Sequence, residues 1–135
     1  MLTVTKHFGF EACHHLPHYE GACHNVHGHS YKLDVTVTGP INTDGPKQGM
    51  IIDFKDLKGV VKKYVVDKLD HQDLNNFYEN PTAEMMVVDI AETLMQKLPG
   101  TVTLVSVKLW ETEDSYAEYT PRYYNNLGAV LQPAT

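Results

Sequence analysis

Apolar and polar residues alternate along residues 27–39, with Tyr31, Leu33, Val35 and Val37 set against Lys32, Asp34, Thr36 and Thr38. A period of two predicts a half-buried β-strand. Residues 2–11 are rich in β-branched and aromatic types and read as a strand before it. GPINTDGPKQG, dense in Gly, Pro, Asn and Asp, is a loop. Helical periodicity follows, with Phe54, Leu57, Val61, Tyr64, Val65 and Leu69 forming one apolar stripe. Asp53 stands at the N-cap position of that helix. The pattern ends near LDHQDLNN, whose Asn and Asp residues favour a turn. A second helix starts after Asn80 as cap and Pro81 as first helical residue, with Glu84 near its positive end. It buries Met86, Ile90, Ala91, Leu94, Met95 and Leu98 and stops at Pro99-Gly100. Residues 101–111, TVTLVSVKLWE, are a third strand, and a turn through Glu113 and Asp114 leads to a fourth near 115–120.

The element order is β-β-α-α-β-β. Sequential strands usually pair, so this order predicts an α+β fold: a four-stranded antiparallel sheet with two helices on one face. The other sheet face then needs cover, and Tyr and Val in the strands point to another subunit. At 135 residues the chain fits one domain over 1–135, with its core in about 2–120 and a C-terminal tail over 121–135. No run approaches the roughly 18 apolar residues of a membrane span. The first ten residues lack an apolar signal-peptide segment. Two cysteines, Cys13 and Cys23, make no disulfide framework and fit a reducing, cytoplasmic setting. Eleven Lys and Arg against 17 Asp and Glu argue against a nucleic-acid partner, and the net charge of −6 reads as solubility.

Histidine changes the picture. His14, His15, His18, His24, His27 and His29 put six of the eight histidines within sixteen residues. In a strand, His27 and His29 project from one face, roughly 6.5–7 Å apart at Cα. His14, at the end of the neighbouring strand, supplies a third imidazole, and His15 points the other way. Three such nitrogens suit a tetrahedral Zn²⁺. Cys23 has two readings here: a fourth ligand closing a structural site, or a thiolate base beside an open, catalytic zinc. Cys13, in an apolar run, reads as a small buried hydrophobe. Asp70-His71 is either local turn structure with a solvated imidazole or a proton relay. Glu111 ends a strand of Val, Leu and Trp. It is either an exposed strand end or an acceptor for a ring bearing paired N–H donors.

FEACHHLPHYEGACHNVHGHSY, IIDF, LDHQDLN, NPTAE and WET, in that order, resemble the family of 6-pyruvoyltetrahydropterin and 6-carboxytetrahydropterin synthases over residues 3–120. The resemblance implies the T-fold, a β2α2β2 unit that assembles as trimers and then as a hexamer, with active sites at subunit interfaces. It implies His14, His27 and His29 as zinc ligands and Cys23 as the catalytic base. Asp70 and His71 match the relay pair, offered by a neighbouring subunit. Glu111 matches the carboxylate that anchors the pterin, and Thr82 matches a segment near the ring. Cys23-x-x-x-His27-Gly-His29 and IIDF look like the bacterial queuosine-pathway branch. That branch converts 7,8-dihydroneopterin triphosphate to 6-carboxy-5,6,7,8-tetrahydropterin, releasing acetaldehyde and triphosphate. The pyruvoyl branch and a purely structural zinc module are the alternatives. Cys13 stands where many relatives have Ala.

Overall fold

A computed structural model describes residues 1–124 and 130–131, with side chains described to residue 123. The first two strands, β1 (Val4–His14) and β2 (His27–Thr38), run antiparallel in continuous register from Val4↔Val37 to His14↔His27. The alternation in β2 does what it predicts. Tyr31, Leu33, Val35 and Val37 are all buried, whereas Ser30 and Lys32 are exposed. On the opposite face the cross-strand partners are polar: Thr5 bonds Thr36, His7 bonds Asp34, and Ser30 donates to Glu11.

Helix α1 (Phe54–Val61) continues through a π-helical stretch, Lys62–Val66, into α2 (Asp67–Leu69). Asp53 caps it as the sequence predicts, accepting from the Lys55 amide at 2.9 Å. Leu57, Val61, Val65 and Leu69 form the buried stripe. Phe54, expected in that stripe, is exposed, because it occupies the first helical position beside the 41–52 loop. The five-residue π stretch shifts the register between the two α-helical parts, a change that i+3/i+4 spacing does not reveal.

A two-residue strand, β3 (Gln72–Asp73), adds to the β1 edge in parallel, opposite Ala12 and Cys13. Helix α3 (Ala83–Lys97) is capped by Thr82, whose Oγ1 accepts from the Met85 amide at 3.2 Å, rather than by Asn80. Pro81 therefore precedes the helix. Met86, Val87, Ile90, Ala91 and Leu94 are buried, but Met95 is not. Strand β4 (Thr103–Thr112) pairs with β2, and β5 (Ser115–Tyr119) pairs with β4. The sheet order is β3-β1-β2-β4-β5. This is the expected β2α2β2 T-fold, with the four long antiparallel strands extended by the short parallel β3.

The expected tail, 121–135, lies largely outside the described residues. Its beginning is tied down, since Tyr123 donates its hydroxyl to the Leu104 carbonyl at 2.8 Å. Strand β6 (Tyr123–Tyr124) pairs with β7 (Val130–Leu131).

Two glycines differ in what surrounds them. A Cβ on Gly39 would lie 2.7 Å from the Thr101 carbonyl oxygen, whereas one on Gly59, inside α1, would meet nothing within 4 Å. Gly59→Ala should stabilise the fold by about 0.5–1 kcal/mol through helix propensity. Gly39→Ala should destabilise it by about 1–3 kcal/mol, because backbone must move. Urea denaturation midpoints should shift in opposite directions; equal shifts would contradict the local geometry.

Candidate metal centre

The β1–β2 register builds the centre. His14 faces His27 directly across the ladder, and His29 is two residues further along the same face. Three imidazoles thus converge from two paired strands, none of them carried on a loop. Their ring centroids form a near-equilateral triangle of 4.7, 4.8 and 4.9 Å. Glu111, from the far end of β4, joins them: its Oε1 lies 3.2 Å from His29 Nε2 and 3.4 Å from His14 Nε2. One ligand atom from each of these four residues falls within 4.8 Å of all the others. Glu111 is also the extra residue of a β-bulge, because Trp110 pairs with Tyr116 while Thr112 pairs with Ser115. Bulges re-aim side chains at sheet margins, and this one carries the carboxylate.

The outer nitrogens are held in place. His27 Nδ1 lies 2.7 Å from the Asn25 carbonyl oxygen, which only accepts, so Nδ1 carries the proton and Nε2 keeps a free lone pair. His14 Nδ1 lies 2.7 Å from the hydroxyl of Tyr31. Tyr31 is buried and stacked on Phe10 at 5.0 Å. Burial raises its pKa well above the ordinary tyrosine value, so the hydroxyl stays protonated. Fixing one ring nitrogen to orient the other is how metal-ligating histidines are held. The strand's exit is pinned as well: Asn75 bonds both the N–H and the C=O of His15.

These imidazoles fit a cation. His14 and His29 Nε2 are buried and make no hydrogen bond. An unpaired buried polar atom costs about 1–3 kcal/mol, and a metal ion removes that cost at both nitrogens at once. Burial first, then the neighbouring His29 and His27, depress the His14 pKa to about 4. Burial also lowers that of His29, against the pull of Glu111. Neutral imidazole is the ligating form. Three imidazole nitrogens and a carboxylate oxygen make a donor set suited to a divalent transition-metal cation.

The other predicted residues lie outside this cluster. Cys23 sits half-buried in a 3₁₀ turn, Ala22–His24, with its thiol free. Its carbonyl accepts from Leu16 N at 2.7 Å, which closes the loop between β1 and β2. Cys13, read as a buried hydrophobe, is half-exposed: it is on the sheet face opposite His14 and lines a shallow cavity of about 440 Å³ with Glu11, Ser30 and His71. Asp70 and His71 do form a pair, with Oδ2 and Nδ1 3.0 Å apart. The Glu11 amide, then the His71 side chain, hold the Asp70 carboxyl below the usual carboxylate range. Thr82 caps α3. The adjoining Ala83 and Glu84 share a cavity of about 450 Å³ with Glu111, Tyr116 and Glu118. Sequence reasoning did not find Tyr31 or the Asn25 carbonyl as partners of the imidazoles. The signal for Tyr31 was present, since it continues the His27–His29 face by two residues.

Known proteins share this arrangement of elements. Residues 3–122 match the family described as 6-pyruvoyl tetrahydropterin synthase. A 6-carboxy-5,6,7,8-tetrahydropterin synthase of Synechocystis sp. is 40% identical, covering 90% of this chain and 96% of its own. A dihydroneopterin monophosphate aldolase of Pyrococcus furiosus is 43% identical over a shorter stretch, 64% of this chain and 70% of its own. The solved structure of 6-pyruvoyl tetrahydropterin synthase from Caenorhabditis elegans superimposes with a TM-score of 0.75 at 27% identity, covering 89% and 95% of the two chains.

The Tyr31–His14 bond generates a test that needs no substrate. Tyr31→Phe keeps the ring stacked on Phe10 and removes only the partner of Nδ1. Metal affinity should fall about 10- to 100-fold, as for other partners of this kind. Competition against a chromophoric chelator would measure it; wild-type affinity in the variant would show that the bond does not orient the ligand.

Proposed function

The chain belongs to the 6-pyruvoyl tetrahydropterin synthase family, and within it we propose a zinc-dependent 6-carboxy-5,6,7,8-tetrahydropterin synthase. Its substrate would be 7,8-dihydroneopterin triphosphate, its by-products acetaldehyde and triphosphate, and its setting cytoplasmic queuosine biosynthesis. The observation that carries this reading is the convergence of His14, His27 and His29 on one face, in a chain 40% identical to a protein of that name. We take residues 1–135 as one T-fold domain, acting as a hexamer of two trimers.

His14, His27 and His29 would hold the zinc. When bound, zinc supplies Lewis-acid stabilisation of negative charge developing on oxygen. The remaining chemistry falls to the protein's own groups. Cys23, four residues before His27, is the base that takes a proton from the substrate side chain. Asp70, kept ionised by the Glu11 amide, orients His71 through Nδ1 and leaves Nε2 free to pass protons. The pair serves the site of a neighbouring subunit. Glu111 accepts hydrogen bonds from the substrate, since an ionised carboxylate is acceptor-only. The Thr82 hydroxyl, accepting from Met85, retains a hydrogen to donate towards the ring.

Two other activities have support: pyruvoyl pterin formation, from the nematode structure, and the aldolase, from the Pyrococcus relative. Product analysis separates them. Protein incubated with dihydroneopterin triphosphate should yield acetaldehyde and the carboxy pterin. A pyruvoyl pterin without acetaldehyde, or turnover confined to the monophosphate, would overturn the proposal. Cys23→Ala should retain its full zinc content while losing at least about 100-fold in turnover. A variant that loses zinc in elemental analysis would make Cys23 a structural ligand instead.

A further inference from the structure

Glu111 is the feature that three-histidine ligation does not absorb. Bonds of about 2.0–2.1 Å at tetrahedral angles place neighbouring ligand atoms roughly 3.3–3.4 Å apart. Glu111 Oε1 lies 3.4 Å from His14 Nε2 and 3.2 Å from His29 Nε2. Both match edges of a coordination tetrahedron, while His27 stands farther from the carboxylate, within the 4.8 Å that spans the cluster. Hydrogen bonding does not account for the approach, because neither Nε2 makes a hydrogen bond to the carboxylate or to any other group. The carboxylate is also the only non-histidine ligand group that joins the cluster among the described residues.

We propose that Glu111 is the fourth metal ligand when no substrate is bound, and that a substrate oxygen displaces it. This rests on the zinc-enzyme reading above, which also assigns Glu111 to the substrate. Holding a coordination position and anchoring the substrate place competing demands on one side chain, and the structure provides a way for it to alternate. Glu111 is partly exposed and borders the cavity it shares with Ala83, Glu84 and Tyr116. Its side chain springs from a bulge, where the unpaired residue is not locked into the β4–β5 ladder. Ligand exchange releases a charged acceptor beside the bound substrate. The resting metal meanwhile carries no solvent position on which water can react. Both consequences follow from one side chain moving between metal and cavity.

The test uses the full chain loaded with Co²⁺, whose visible spectrum reports coordination. With four protein ligands, the wild-type spectrum should respond weakly to azide. Glu111→Gln should shift the spectrum, bind azide on the order of tenfold more tightly, and bind Co²⁺ roughly 10- to 100-fold more weakly. Identical spectra and azide affinities in the two proteins would overturn the inference and leave the three-histidine site standing. Failure of the wild type to take up Co²⁺ at all would instead defeat the metal reading on which it rests. Should Glu111→Gln fail to fold, the wild type suffices, because tight azide binding to it would show an open position and refute the proposal.

Discussion

The β1–β2 register is the constraint on which the rest depends. His14 opposite His27 is the last of eleven consecutive pairs that begin at Val4↔Val37. A slip of one residue would turn Tyr31, Leu33, Val35 and Val37 out of the core and the histidines to the other face. The same displacement would expose the apolar face and dissolve the centre, so the core holds the centre in place. Burial of those four side chains contributes about 1.5–3 kcal/mol each, and together they outweigh any single contact at the histidine end. The ligands need not stabilise their own arrangement. They sit at one end of a ladder whose register is already specified.

That division explains why the site tolerates features that weaken a fold. Two buried nitrogens go unpaired, three imidazoles crowd one another, and burial depresses the basicity of His14 and His29. Without a cation these are costs with no local return. With one, the same lone pairs become bonds, and the partners of His14 and His27 already orient two of the three rings. The strain lies where ligand binding relieves it, while the helices and the remaining strands supply the stability that makes it affordable.

How much could be read from the amino-acid order follows the range of the interactions. Alternation in β2, the Asp53 cap and the buried stripe of α1 are local, and each was legible. The HxH pair was legible for the same reason, and His14 followed from pairing sequential strands. The Thr82 cap was less clear, because Asn80, Pro81 and Thr82 each suit a helix start and only packing selects among them. Strand β3 has two residues and no periodicity to detect. The approach of Glu111 to the histidines needs β4 to lie beside β2 at one particular register with a bulge at its end. No local pattern encodes that, so a glutamate at a strand end could be singled out but not placed beside the histidines.

The Asp70–His71 turn shows a second use of β1. His71 has φ of 59°, a left-handed conformation that costs a non-glycine residue about 1–3 kcal/mol. Glu11 holds it from both sides: its N–H donates to Asp70 Oδ1 at 2.9 Å, and its carbonyl accepts from the His71 amide at 2.5 Å. Asp70 N in turn donates to the Val66 carbonyl, which ties the turn to the end of the helix. These contacts fix the backbone but leave the imidazole largely exposed, at 78%. A solvated side chain gains nothing from such a backbone, and a turn alone would be served better by glycine. What the strain does achieve is direction, since the ring is presented from a rigid edge with its Nδ1 against a carboxylate kept ionised. Three residues along the same strand, His14 faces the other histidines from the core side. One strand therefore positions both the histidine cluster and the Asp70–His71 pair, on its inner face and at its edge, and a change in its register would disturb them together.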